Sequence, residues 1–318
     1  MISPNPPTVS RRHFLATASI AAAGMGLAPR RLLAEDVSPV ITIRQAAATA
    51  KIEVTRLRGN VSVLEGSGGN IAVLTGRDGK LLVDAGITAT RQGISEALGS
   101  LGADPIRHLI NSHWHFDHTD GNEWLHSEGA EIIAHENTLK HLSVNTRVEG
   151  WQFTFPASPA GALPTKLLQD ELKLRLNGTT LHLVKYPSAH TDSDISVHFA
   201  DADILHVADT FWNGVYPFID YSTGGSIDGS IRAAELNVER ATDRTIIISG
   251  HGPVGNKAQL IAFRDMLIVI REKVAALKKQ GRSLEEVLAA KPTAAFDEKW
   301  GAWVINGRTF TSLVYAGV

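Results

Sequence analysis

The chemistry of this chain is concentrated in His113-Trp114-His115-Phe116-Asp117-His118, four potential metal ligands within six residues. They follow directly on an apolar strand signal at Ile106 to Ile110, and neither core packing nor a solvated loop accounts for such a cluster. In an extended loop, residues two apart project to the same side, so His113 and His115 can share one cation while Asp117 and His118 turn toward a second. Neutral imidazole suits zinc, and a carboxylate admits a harder metal. The chain has no cysteine, which removes disulfides, thiolate ligands and cysteine nucleophiles together and leaves carboxylates and 13 histidines for the chemistry.

The elements that position this run are legible from periodicity. Lys51 to Leu57, Val61 to Leu64, Asn70 to Thr75 and Leu81 to Val83 form strands separated by Gly-rich or Asp-Gly turns. A helix is predicted over Thr90 to Leu101, and beyond the histidines come a helix near Gly121 to Ser127, a strand at Ile132-Ile133 and a helix from Glu136. Leu172, Leu174 and Leu176 alternate into Asn177-Gly178, a pair suited to a tight type I′ turn, and then into Leu181 and Leu183. Ile195 to Phe199 and Ile204 to Val207 flank another turn. From Lys257 the period changes, with Leu260, Phe263, Leu267, Ile270, Val274 and Leu277 forming the stripe of an amphipathic helix. Two strand-rich halves, each closed by helices, are expected from this order.

With 318 residues, 43% hydrophobic and 20% charged, the composition is that of an ordinary globular chain. Residues 1 to 34 stand apart. Ser10-Arg11-Arg12-His13-Phe14-Leu15 resembles a twin-arginine export signal, and the mildly apolar run from Ala16 to Ala28 is too short to span a bilayer stably. This implies a signal peptide over 1–34, a single domain over 35–318, passage through the twin-arginine machinery and a periplasmic location. Removing that segment takes away four arginines and no acid, leaving 27 basic against 33 acidic residues and a net charge of −6. Such a surface repels polyanions, so neither nucleic acid nor an anionic membrane is an expected partner.

Over roughly residues 50 to 255 the sequence resembles the metallo-β-lactamase superfamily, whose H-x-H-x-D-H signature follows a strand. Leu82-Val83-Asp84-Ala85-Gly86 is similar to the family's V-D-x-G turn, Ala189-His190-Thr191 stands in place of G-H-T, Ala208-Asp209-Thr210 where a bridging acid is found, and Ser249-Gly250-His251-Gly252 matches G-H-G. His190 follows His118 by 72 residues, Asp209 follows His190 by 19 and His251 follows Asp209 by 42. The resemblance implies an α/β fold, an αββα sandwich of two mixed sheets with helices on the outer faces. It also implies two divalent ions, zinc above all: one held by His113, His115 and His190, the other by Asp117, His118 and His251, with Asp209 bridging them. Asp84 is better read as a carboxylate that steadies the turn or a ligand than as a ligand itself, and His135 is the one further histidine worth checking as such a partner.

Two adjacent cations explain a hydrolase with no serine or cysteine nucleophile, because a hydroxide bridging them attacks while one ion polarises the substrate oxygen. Asp117 can also carry a proton to the leaving group. The expected substrate is a small molecule with an ester, thioester, lactone or lactam-type carbonyl. Two loops supply candidate walls, residues 151 to 165 with Trp151, Phe153 and Phe155, and residues 211 to 221 with Phe211, Trp212, Tyr216, Phe218 and Tyr221. Trp151, Trp212 and Tyr216 are the candidate substrate contacts, and they favour a partly apolar ligand. A mononuclear iron persulfide dioxygenase of the same superfamily and a metal-dependent binding protein without turnover are the competing readings.

Overall fold

The computed structural model describes residues 38–318, so the signal-like stretch 1–34 lies outside the described residues. Ser38 starts helix α1 (Pro39–Ala47): its Oγ accepts from the Val40 amide and donates to the Trp151 carbonyl at 2.7 Å. Four strands follow in an antiparallel ladder, β1 (Glu53–Arg56), β2 (Val61–Glu65), β3 (Ile71–Leu74) and β4 (Lys80–Val83). Helix α2 (Arg91–Ser100) then carries the chain to β5 (Ile106–Ile110), which lies parallel to β4. The short helices α3 (Phe116–Thr119) and α4 (Asn122–Ser127) lead to β6 (Glu131–His135), helix α5 (Glu136–Leu142), the hairpin β7 (Thr146–Val148) and β8 (Phe153–Phe155), and β9 (Lys166–Leu168). The first sheet has the order β1-β2-β3-β4-β5-β6-β9 and is antiparallel in its first half, parallel in its second.

The second sheet runs β10 (Glu171–Leu176), β11 (Thr179–Lys185), β12 (Ile195–Phe199), β13 (Ile204–Trp212) and β14 (Ile246–His251), with helix α6 (Ile227–Arg240) crossing between the last two, which are parallel. Asn177 and Gly178 both adopt positive φ, 50° and 79°, as the tight hairpin turn demands. Helix α7 (Lys257–Lys279) opens on a reciprocal capping box between Asn256 and Gln259 and buries the stripe Leu260, Phe263, Leu267, Ile270 and Val274. Three helices close the chain, α8 (Leu284–Ala289), α9 (Asp297–Trp300) and α10 (Gly307–Gly317). None of the described helices is long and apolar enough to cross a membrane.

Strand alternation divides the interior into layers. Val61, Val63, Ala72, Leu81, Val83 and Ile110 of the first sheet pack against Leu181, Leu183, Val197, Phe199 and Ile248 of the second. The opposite face of the first sheet sends Leu64, Val73, Leu82 and Leu109 against Ile94 and Leu98 of α2 and Leu125 of α4. The outer face of the second sheet meets α7 and α10 through Leu205, Val207, Ile247, Phe263 and Phe310. This is the αββα sandwich expected from the sequence. Two differences are local. The histidine-rich run is not extended throughout, because Phe116 to Thr119 turn into α3, and β13 does not stop at Val207 but continues to Trp212.

Helix α6 is tied to β13 by a buried polar chain: the Tyr186 hydroxyl donates to Asn237 Oδ1, and Asn237 Nδ2 donates to Thr210 Oγ1 at 3.0 Å, one residue beyond Asp209. Replacing Asn237 with alanine leaves the buried Tyr186 phenol without its acceptor and removes the donor to Thr210 Oγ1, which keeps its own bond to the Val207 carbonyl, at a cost of about 2 kcal/mol. Urea unfolding of Asn237→Ala should therefore show a lowered midpoint at unchanged slope, and an unaltered midpoint would contradict this account.

Candidate metal centre

The parallel pairs β4/β5 and β13/β14 end on the same side of the sandwich, and the residues just past those ends converge. Asp84 follows β4, His113 to His118 follow β5, Asp209 lies within β13, His251 ends β14, and His190 comes from the β11–β12 connection. Asp209 reaches inward because β13 is irregular there: Ala208 takes φ 45°, and the register with β14 shifts on both sides of it. Close backbone approach does the rest. A Cβ on Gly250 would collide with Asp209 Oδ1, and one on Gly69, in the β2–β3 connection, would collide with the His118 ring, so the backbone must be bare at both points.

The partners of each imidazole decide which nitrogen faces the centre. Ser112 Oγ gives its proton to Asp84 Oδ2 at 2.7 Å and so accepts from His113 Nδ1 at 3.1 Å, leaving His113 Nε2 as a bare lone pair. His118 Nδ1 donates to Asp84 Oδ2 at 2.8 Å, His190 Nδ1 to the Phe218 carbonyl at 2.8 Å, and His115 Nε2 to Asp220 Oδ2 at 3.0 Å. With the other nitrogen so engaged, each of these four imidazoles turns its remaining nitrogen inward. His115 Nδ1 and His190 Nε2 are only 2.8 Å apart, an arrangement that two lone pairs tolerate when a proton or a cation sits among them.

Around this centre His113, His115 and His190 form one donor set, Asp117, His118 and His251 another, and His113, His118 and Asp209 a third between them, the donor atoms of each lying within 4.8 Å of one another. Asp209 Oδ1 is 3.1 Å from His118 Nε2, while Oδ2 is 3.3 Å from both His190 Nε2 and His251 Nε2. Asp117 Oδ2 is 3.3 Å from His251 Nε2. Yet His113 Nε2, His118 Nε2 and Asp209 Oδ1 are buried without a hydrogen-bond partner. Buried polar atoms that approach one another without bonding geometry fit a cation that they would share. The clusters fit a divalent metal site.

The electrostatics agree. Burial opposes charge on His251, but the carboxylates of Asp209 and Asp117 overcome it and raise its pKa to about 9. His118 is likewise pushed well above its ordinary value by Asp209, Asp117 and Asp84 against the cost of burial. His113 goes the other way, held well below by burial and then by the charge on His118. Burial would raise the Asp209 carboxyl, yet His251, His118 and His190 outweigh it and hold its pKa well below the carboxylate range. A potential that draws protons onto two buried imidazoles draws a divalent cation more strongly, since metal and proton compete for the same lone pairs.

All seven residues expected to bind metal therefore face one centre, and Asp84 takes the supporting place expected of it. Asp220 was not foreseen. It accepts from His115 Nε2 and from Thr223 Oγ1 at 2.7 Å, and Thr223 Oγ1 in turn accepts from Trp114 Nε1 at 3.0 Å. Its only sequence signal was an Asp starting a turn, since it also caps Tyr221–Thr223. His135 is no ligand partner: its Nδ1 accepts from the Asn137 amide and caps α5.

The aromatic candidates divide. Trp151 lies 4.7 Å from the His115 ring and stacks on Phe218 at 4.8 Å, and Trp212 lies 4.3 Å from His251. Tyr216, expected to meet the ligand, is instead fully buried. Its ring stacks on Phe310 at 4.8 Å, and its hydroxyl lies 3.0 Å from Asp297 Oδ1 and 3.3 Å from the Thr293 carbonyl. The apolar interior of the second sheet's outer layer took it, because its ring fits between α9 and α10.

A probable metallo-hydrolase of Methanocaldococcus jannaschii is 28% identical over 184 residues, covering 56% of this chain and 84% of that protein. Among solved structures, the stereoselective inverting sec-alkylsulfatase Pisa1 from Pseudomonas sp. superposes with a TM-score of 0.62 at 16% identity over 86% of this chain and 51% of its own, so the chain spans about half the length of that enzyme. A metallo-beta-lactamase of Cronobacter sakazakii superposes with a TM-score of 0.60 at 22% identity over 74% of this chain and 99% of its own. At these identities both share the fold. The sequence model of the family matches residues 64–251, from β2 to the last histidine of the centre, and the chain belongs to the metallo-beta-lactamase superfamily.

Proposed function

We propose that this chain is a dinuclear zinc hydrolase acting on an ester, thioester, lactone or lactam-type carbonyl of a small, partly apolar molecule. One observation carries the reading: Asp209 reaches both donor sets, its Oδ2 3.3 Å from His190 Nε2 of one and from His251 Nε2 of the other, while His113 Nε2, His118 Nε2 and Asp209 Oδ1 lie buried without a partner. His113, His115 and His190 would hold one ion, Asp117, His118 and His251 the other. Zinc bound there supplies a Lewis acid for the carbonyl oxygen and a water acidic enough to attack near neutral pH. The name of the archaeal relative, a probable metallo-hydrolase, supports the same class.

The residues around the ions have separable tasks. Asp209 would offset the repulsion between the two ions. Asp84, Asp220 and the Phe218 carbonyl hold three imidazoles in one tautomer and one orientation, so that no rotation competes with binding. Asp117 is the most open of the seven, its side chain 12% exposed, and its carboxylate can take a proton and return it to the departing group. Trp151 and Trp212 cover the centre and exclude bulk water. The Arg11-Arg12 motif supports delivery to the periplasm by the twin-arginine route, which carries folded, already loaded proteins.

Metal analysis of protein purified without added metal should return two zinc ions per chain; a single iron would favour oxygen chemistry instead. His113→Ala should lose metal and abolish turnover of chromogenic esters, lactones and thioesters, whereas His135→Ala keeps most of both; equal losses would refute the ligand assignment. Asp209→Ser should retain close to one metal per chain under mild chelation with hydrolysis much reduced, and two tightly held ions in that variant would exclude a bridging role. Replacing Arg11 and Arg12 with lysine should leave the protein in the cytoplasm, as fractionation would show, and unchanged export would sink the periplasmic reading.

A further inference from the structure

The family match ends at His251, but the chain returns to the centre after it. Between α9 and α10 the segment 301–306 brings Trp303 to within 5.3 Å of the His251 ring and 5.5 Å of Trp212, whose own ring is 4.3 Å from His251. The three rings make one wall. This wall stands where solvent reaches the centre. The side chains of His115, His118, His190 and Asp209 are at most 2% exposed, and His113 is fully buried, whereas Asp117 is 12% and His251 6% exposed. A ligand that reaches the donor set therefore enters along the edge that Trp303 borders.

Two groups of these stretches are left without a partner in the folded chain. Val304, next to Trp303 in the chain, is 47% exposed, an apolar side chain left in water. The Trp212 indole N–H is buried with no acceptor, a donor that a ligand oxygen would satisfy. The segment is also held rather than loose. The Trp300 carbonyl accepts from the Tyr216 amide at 2.8 Å, and the Tyr216 hydroxyl faces Asp297 and Thr293, so the residue mistaken for a substrate contact anchors the base of the strap that presents Trp303.

We propose that Trp303, with Val304 beside it, is the specificity-determining wall of this centre and selects ligands carrying an aryl or similarly bulky apolar group next to the metal-binding function. The identity of the reacting bond rests on the hydrolase reading above. Recognition of the apolar group does not. Tyr216 is a positioning residue for the wall.

Carboxylates that differ only in the apolar group test this on the zinc-loaded full chain, without turnover. Calorimetric titration of the wild type should show phenylacetate binding at least about 10-fold tighter than acetate, the gain expected for covering one ring. Trp303→Ala should bring that ratio close to one while acetate affinity and zinc content stay as in the wild type. Trp303→Phe, which keeps a ring, should restore most of the ratio, and Tyr216→Phe should lower it part-way with acetate unaffected. Should Trp303→Ala lack a cooperative unfolding transition, Val304→Asn decides: at an already exposed position it should cut the ratio about threefold. A wild-type ratio near one, or a ratio unchanged in Trp303→Ala or in the folded Val304→Asn, overturns the proposal. Esters hydrolysed by a wild type with no such preference would refute the wall alone, and a clear preference in a protein that hydrolyses none of the substrates would refute the hydrolase reading alone.

Discussion

Seven ionisable side chains, five imidazoles and two carboxylates, sit almost wholly out of water around one centre, and keeping them there is the constraint to which the rest of the chain answers. Buried charge is costly unless it is compensated. Here the compensation is mutual: Asp209 and Asp117 supply the negative potential and the imidazoles the lone pairs or protons, and a divalent cation held by the same atoms would supply a stronger and more widely shared charge.

Such a centre needs rigid mounting, and the sandwich provides it at the ends of two parallel strand pairs. Parallel neighbours deliver their following residues to one side, so β4 and β5 place Asp84 beside His113 and His118, while β13 and β14 place Asp209 beside His251. The outer supports are as specific as the donors. Asp84 bonds at once to the Ser112 amide, the Ser112 hydroxyl and His118, linking two of the strand ends through one carboxylate. Asp194 does the same for the loop of His190, accepting from the His190 and Thr191 amides at 2.8 and 2.9 Å. The bulge at Ala208 is a local cost in backbone strain that turns Asp209 toward both donor sets.

Around the polar centre the chain places aromatic surface from three unrelated stretches: Trp151 and Phe218 beside His115, Trp212 beside His251, and Trp303 across from it. Lowering the local dielectric strengthens every interaction inside. The part of this enclosure contributed after residue 251 lies beyond the stretch that the family shares, which is where chains with the same centre are free to differ in what they admit.

The donors themselves were legible in the sequence, because a metal centre demands particular atoms and those atoms come in few residue types. Four ligands in six residues after a strand, then His190, Asp209 and His251 in order, announce the chemistry without any coordinates. Strand and helix positions were legible for a related reason: burial of one face imposes a period of two or of about 3.6 on the apolar residues, as in β10, β11 and the stripe of α7. What periodicity cannot carry is which face meets which partner a hundred residues away. Asp220 has no mark distinguishing it from any turn-capping Asp until the fold sets it 3.0 Å from His115, 105 positions earlier. Tyr216 looked like a ring in a loop near the site, and only packing between α9 and α10 turned it into an anchor. Trp303 carried no signal at all, since it lies in an irregular segment with no period. The sequence alone determined the ligand types, their order and the layers that carry them; the tertiary structure decided the tautomers, the supports and the walls, because those depend on distances across the sandwich that no local pattern encodes.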